Sequence, residues 1–274
     1  MKRLMNLIPS RPATILLGLL PFVLVIVFYF VASDARLAEN ANDKLLPSLS
    51  AFADAIDKYA FTESKRTGEY LFWADTAASL ERLGMGILFS AILALLIGIP
   101  LGLIPFIRAG LSPFVAAFSM VPPMAILPIL FIIFGMGEVA KVALIIIGVT
   151  PIIVRDIQQR VAEIPAEQLI KAQTLGASTW TIVLRVVIPQ VMPRLFDAVR
   201  LTLGTAWIFL ISAEAIAATE GLGYRIFLVR RYMSMDIILP YVAWITVLAF
   251  FFDYGLKKLT AKLYPWYEGT RSGK

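Results

Sequence analysis

The sequence predicts an all-α membrane protein with six transmembrane helices, and three observations carry that prediction. Of 274 residues, 59% are hydrophobic and only 16% charged, whereas a soluble domain is about 45–50% apolar and about 25% charged. The mean hydropathy is +0.81. Apolar runs close to the roughly 20 residues that a helix needs to cross a bilayer recur six times. The chain has no cysteine and no histidine, which excludes a disulfide framework, Cys/His zinc sites, thiol nucleophiles, Ser-His and Cys-His pairs and ordinary haem ligation.

The first run, residues 14–32, follows Lys2, Arg3 and Arg11. It is longer than a signal-peptide core and no Ala-x-Ala cleavage site follows, so it reads as an uncleaved helix. The others fall near 79–107, 111–134, 139–157, 198–219 and 237–256. An even number puts both termini on one side. With the N-terminus inside, fifteen of the 25 basic residues are cytoplasmic, Arg271 and Lys274 among them, so the positive-inside bias places both termini in the cytoplasm. Arg225, Arg230 and Arg231, just after the fifth crossing, run against that bias.

In the external segment 33–75, Leu45, Leu49, Phe52, Ile56 and Tyr59 recur at helical spacing. The pattern predicts an amphipathic helix lying on the membrane or against the bundle. Proline interrupts several crossings: Pro100 between Gly98 and Gly102, then Pro122, Pro123, Pro128 and Pro151. Each frees a carbonyl that must find a partner in a neighbouring helix or a wet cavity. The Gly98-xxx-Gly102 spacing reads as packing rather than as a specific dimer motif.

The cytoplasmic stretch 156–197 is far longer than the usual 4–6-residue connection. Pro165 suits the first turn of a short helix, Gly176 its left-handed stop, and Ser178 the N-cap of a second short helix over 181–189. Two short helices at a rigid elbow suit a cleft on another protein.

Lys171-Ala172-x-x-Leu175-Gly176-Ala177-Ser178, with Ile188-Pro189 and Pro193 after it, resembles the "EAA" coupling loop of binding-protein-dependent ABC transporter permeases. Thr76-Ala77-Ala78-Ser79-Leu80-x-Arg82, Gly98-Ile99-Pro100-Leu101-Gly102, Val121-Pro122-Pro123, Phe134-Gly135-Met136-Gly137-Glu138, Ala213-Glu214 and Gly221-Leu222-Gly223 resemble the nitrate/sulfonate/taurine/bicarbonate branch of that family. The resemblance implies the type I ABC importer permease (MetI-like) fold. It divides the chain into an N-terminal crossing with its external segment (1–78), a permease core (79–265) containing the coupling loop 158–196, and a basic cytoplasmic tail (266–274). It also implies a bacterial inner-membrane location, a second permease subunit forming a homodimer, two ATP-binding subunits and an external solute-binding protein. No Gly-x4-Gly-Lys-Ser/Thr loop occurs in the chain. ATP and Mg are therefore expected in the partner ATPase and no cofactor in this chain.

The loop residues expected to meet the ATPase are Glu167, Ile170, Lys171, Ala172, Leu175, Gly176, Ala177 and Ser178. Ile170 and Lys171 stand where the family has Glu and Ala. For the pathway, Glu214 is an acid within an apolar run and shares a helical face with Trp207, seven residues earlier; its alternative role is to bond backbone or cap the Gly221-Leu222-Gly223 turn. Met120, Pro122, Pro123 and Met124 are candidates for a constriction. Ser119 stands where the family often has a basic residue, and the loop also resembles that of permeases grouped with urea carboxylase. An acidic Glu214 and a missing base together favour urea or guanidine over an anion. An ion-coupled secondary transporter is the rival class, but it would show related halves and ion-coupling residues. The aromatic and basic residues read as interface belts and anchors, not as a nucleic-acid surface.

Overall fold

The structure, a computed structural model, describes residues 9–40, 43–65 and 67–267, and the regular elements among them are helices. Lys2, Arg3, Arg66, Arg271 and Lys274, and the tail 266–274 beyond Tyr267, lie outside the described residues. Helix α1, Arg11–Glu39, is exposed along almost its whole length. Its outer end is tied down where the Tyr29 hydroxyl donates to the Pro47 carbonyl at 2.8 Å and Ser33 Oγ to that of Leu46 at 2.9 Å. Ser48 caps α2, Leu49–Ile56, accepting the Ala51 N–H at 3.3 Å. The helix continues as a π turn, Asp57–Phe61.

The external segment therefore packs on the bundle, and part of the predicted stripe takes part: Phe52 and Tyr59 are half-buried, their rings 6.0 Å from that of Tyr29 and 6.3 Å from that of Tyr241. Leu45, Leu49 and Ile56 are exposed, whereas Ala55 and Ala60 are buried. Leu45 precedes the helix, and within it α2 packs against α11 (Met235–Leu263) with its other side, so that Leu49 and Ile56 face outward; the π turn carries Tyr59.

Helix α3 runs Leu71–Leu103, passing position 78 without a break. It starts eight residues before the apolar run and stops before Pro105, which lacks an N–H and disfavours helical backbone at Ile104. Arg108 satisfies the freed carbonyls, donating to those of Leu101 (3.0 Å) and Gly102. The third crossing is not one helix: α4, Pro105–Phe118, and α5, Pro123–Phe134, meet at 92°, because neither Pro122 nor Pro123 can donate to a continued helix.

Helix α6, Glu138–Ala162, runs parallel to α3 in the most extensive contact of the fold. Gly86, Gly98 and Gly102 of α3 face Ile145, Ile157 and Val161 of α6, so the Gly98-xxx-Gly102 pair seats a helix of the same chain. After α7, Ala166–Thr174, comes α8, Thr179–Ile182. The second short helix of the sequence reading is not separate: α8 passes through a π turn, Val183–Val187, into α9, Ile188–Ala217, making one rod of 39 residues. In that turn the Ile188 N–H reaches back five residues to Val183 O, and the widened turn admits Pro189 without breaking the helix. Helix α10, Leu222–Arg230, and α11 complete the chain.

Four helices, α1, α3, the 39-residue rod and α11, are each long and apolar enough to cross a membrane, and the bent pair α4 and α5 makes a fifth. The remaining predicted crossing is α6. Its 25 residues reach about 37 Å at 1.5 Å each, with charges near both ends and Leu144, Ile145, Val149, Ile153 and Ile157 fully enclosed at its centre.

At the tightest point a Cβ on Gly148 would lie 2.2 Å from the Phe209 ring. Gly148→Val overfills that contact, and such crowding costs about 1–3 kcal/mol or more. The melting temperature of the detergent-solubilised protein should fall by several degrees, whereas Gly84→Ala, with nothing within 4 Å of the new methyl, should leave it unchanged or slightly raised.

Candidate functional site

Three clusters gather the residues that the sequence singles out. The first is a buried ionic clasp at the outer ends of α3, α6, α9 and α10. Helix α10 begins at Gly221, whose φ of +125° and missing side chain leave its first N–H groups without a local cap. Other helices supply the acceptors: Asp75 takes the Gly221 N–H at 2.9 Å, Ser79 Oγ that of Leu222 at 2.8 Å, and Glu214 that of Gly223 at 2.8 Å. A Cβ on Gly221 would lie 2.6 Å from the Glu214 carboxyl. Only glycine lets the chain close over that carboxylate.

Arg82 completes the clasp. It bonds Glu214 at 2.7 Å, the Glu220 carbonyl at 2.9 Å and Glu138, and Glu138 also accepts from Lys141 at 2.7 Å. The Ser79 hydroxyl sits 2.8 and 2.9 Å from the two Glu214 oxygens. Arg82 is 2% and Glu214 0% exposed. Asp75 is clasped in turn by Arg225 at 2.7 Å and the Tyr241 hydroxyl at 3.1 Å.

Of the two readings of Glu214, this geometry fits the capping one. Its carboxylate is enclosed by the helices of its own chain and caps the Gly221-Leu222-Gly223 turn, three residues before the end of α9. It does share a buried face with Trp207, whose indole N–H has no acceptor among the described residues. The clasp also accounts for one of the external cations that run against the charge bias: Arg225 is the partner of the buried Asp75. Sequence reasoning missed Arg82 as a site residue. The available signal was its spacing with Asp75 and Ser79, which puts all three on one helical face.

The second cluster is the coupling segment. Helix α7 ends in a Schellman arrangement: Gly176 has φ +80°, its N–H bonds Gln173 O at 2.9 Å, and the Ala177 N–H bonds Ala172 O at 3.0 Å. Ser178 Oγ then accepts the Thr181 N–H at 3.2 Å and caps α8. Ala172 and Ala177 are half-buried and pack on the core. Glu167, Ile170, Lys171, Leu175, Gly176 and Ser178 are exposed, Leu175 to 87%. At the root of the segment Arg160 bonds Glu163 at 3.1 Å, and that hydrogen bond holds the Glu163 carboxyl below the usual carboxylate range.

The third cluster surrounds the α4/α5 break. Met120 and Pro122 are exposed, and Pro123 and Met124 half-buried. Ser119, read as a place without positive charge, accepts a hydrogen bond from Arg155 of α6 at 3.2 Å. The cation comes from another helix.

A family model for the inner membrane component of binding-protein-dependent transport systems matches residues 86–263. The chain belongs to that family. As an ABC transporter permease it is 33% identical to the taurine transport system permease protein of Escherichia coli K12 over 195 residues, 71% of each chain. It is 31% identical to the bicarbonate transport system permease protein of Synechococcus elongatus over 188 residues, 67% of this chain and 66% of that one. The nitrate import permease protein of the same organism is 32% identical over 149 residues, about half of each chain. Among solved structures, the inward-facing MetNI methionine ABC transporter matches with a TM-score of 0.59 at 22% identity, over 71% of this chain and 98% of the other. The permease therefore has the MetI-like fold, and it is a transport subunit rather than an enzyme.

Two serines of α3 test the clasp. Ser79→Ala strands the Leu222 N–H and removes a donor from Glu214, a loss of about 1–3 kcal/mol. Ser90 Oγ is also buried but has no partner among the described residues. Thermal unfolding of the purified permease should show Ser79→Ala clearly destabilised and Ser90→Ala equal to or above wild type.

Proposed function

We propose that this permease is one half of the solute pathway of an ATP-driven importer in the bacterial inner membrane, formed as a homodimer and driven by two cytoplasmic ATP-binding subunits. A solute-binding protein delivers a small polar solute to its outer face, and both termini lie in the cytoplasm. The observation that carries this reading is the stopped, capped elbow at Gly176 to Ser178, because it holds Ile170, Leu175 and Trp180 exposed at 56%, 87% and 68% on a rigid support. Exposed apolar groups at a fixed tip suit burial in a partner's cleft.

The elbow leads directly into the 39-residue rod, about 58 Å long at 1.5 Å per residue. Displacement of the tip by a closing ATPase pair tilts that rod as a lever, and its far end is the clasp. Met120, Pro122, Pro123 and Met124 are the pathway candidates, with Trp207 and Glu214, both enclosed by their own chain, acting as a fixed pivot. Ile170 and Lys171, both exposed, imply an ATPase whose cleft takes an apolar group and tolerates a base where other members of the family present an acid.

The relatives are named for taurine, nitrate and bicarbonate. The urea or guanidine reading has two grounds, an acidic passage without a matching cation and the resemblance of the loop to permeases grouped with urea carboxylase. Glu214 is paired with Arg82 and Ser119 faces Arg155, which removes the first and leaves the second.

Nothing lies within 4 Å of a Cβ on Gly176, so Gly176→Val strains only the left-handed backbone, by about 1–2 kcal/mol. The variant should insert and purify normally but lose most solute-stimulated ATP hydrolysis and uptake when reconstituted with its ATPase and binding protein. Normal uptake and normal stimulation would refute the coupling role.

A further inference from the structure

Ser112, Ala116 and Ser119 lie four and three residues apart on one face of α4, opposite Ile152, Arg155 and Gln159 on one face of α6. Between them opens a cavity of about 600 Å³, whose lining also includes Arg108, Asp156 and Gln158. We propose that this cleft is a binding site for an oxyanion group of the transported solute, with Arg155 as its principal ligand and Arg108 as a second cation. The proposal rests on the importer reading above and adds the residues of this chain that meet the solute.

Charge balance is the first argument. Among the described residues neither arginine is paired with a carboxylate. Arg155 gives one nitrogen to the Ser119 hydroxyl, keeping Nε and Nη2 for a ligand, and Arg108 gives Nε and Nη2 to carbonyls of α3, keeping Nη1. The acid on the wall, Asp156, lies 3.5 Å from Arg160, so the cleft keeps an excess of positive charge.

Shape and polarity are the second. A guanidinium fork matches the planar geometry of a carboxylate, nitrate or bicarbonate and two edges of a sulfonate. Ser112 and Gln158, bonded to each other at 3.0 Å, and Gln159 supply neutral donors and acceptors beside it. The volume lies within the usual range for small-molecule sites. The third argument is position: Ser119 opens directly onto the exposed Met120 and Pro122 at the α4/α5 break, and the cleft lies toward the end of α6 from which the coupling segment leaves. An oxyanion passing the break meets Arg155 next. The polar walls suit a solute rather than a lipid chain.

The test uses the full permease with its ATPase and binding protein in proteoliposomes, one set of phosphatidylcholine alone and one containing phosphatidylglycerol. ATP-driven uptake of nitrate, bicarbonate, taurine and guanidinium is measured for wild type, Arg155→Gln and Arg155→Lys. The expected result is uptake of at least one of the three oxyanion-bearing solutes, reduced about tenfold or more in Arg155→Gln through a raised KM and only partly restored in Arg155→Lys, which keeps the charge but not the fork, in both lipid mixtures. Unchanged anion uptake in Arg155→Gln would overturn the site. So would uptake of guanidinium alone, or a loss confined to vesicles with anionic lipid, which would make a lipid phosphate the ligand. Failure of wild type to co-purify with an ATPase would instead overturn the importer reading itself.

Discussion

The fold depends on one constraint: helix α10 starts at a glycine, so its unpaired N–H groups are capped by side chains from elsewhere in the chain. Asp75 and Ser79 come from α3, Glu214 comes from α9, and Arg82 neutralises the acid that results. Each member requires the others. A helix start without a cap costs free energy, a buried carboxylate without a cation costs several kcal/mol, and an Arg82 without Glu214 would be a buried charge facing only the half-exposed Glu138 and Glu220. Four of the sequence motifs, Thr76 to Arg82, the glycines before Glu138, Ala213-Glu214 and Gly221 to Gly223, converge on this point.

With the outer ends joined, the other end of the bundle is set by the rod that carries the elbow. Because α8, the π turn and α9 are continuous, the exposed tip and the buried acid belong to one element. The α4/α5 break is placed differently. It is held by no clasp, exposes Met120 and Pro122, and is bordered by the cleft that Arg108 and Arg155 line. The permease thus has a tied outer end, a protruding inner tip and a kinked, polar-edged helix pair between them.

Local signals were legible in the sequence and contacts between distant residues were not. Gly176 and Ser178 declare a helix stop and a start by their own conformational and capping chemistry, and the structure has both. The crossings were visible as apolar runs, but their ends were not, because polar residues such as Asp75 and Ser79 continue α3 when another helix satisfies them. The break at 119–122 was readable as prolines and only the geometry turns them into a 92° bend. Arg225 reads as an external loop charge, Arg82 as the end of a motif at the start of a crossing, and Glu214 as an acid without a visible cation, since the pairing spans more than 130 residues. Arg155 and Ser119, 36 residues apart, show the same limit.

The most direct measurement is a double-mutant cycle on the clasp, with Arg82→Met, Glu214→Leu and the double variant compared with wild type by thermal unfolding in detergent. Each single change strands a buried charge and should cost about 3–5 kcal/mol. The double change removes both charges and should cost clearly less than the sum, so that the two sites are strongly coupled. Additive losses would contradict the account, because they would mean that Arg82 and Glu214 stabilise the permease independently and that no shared clasp holds its outer end.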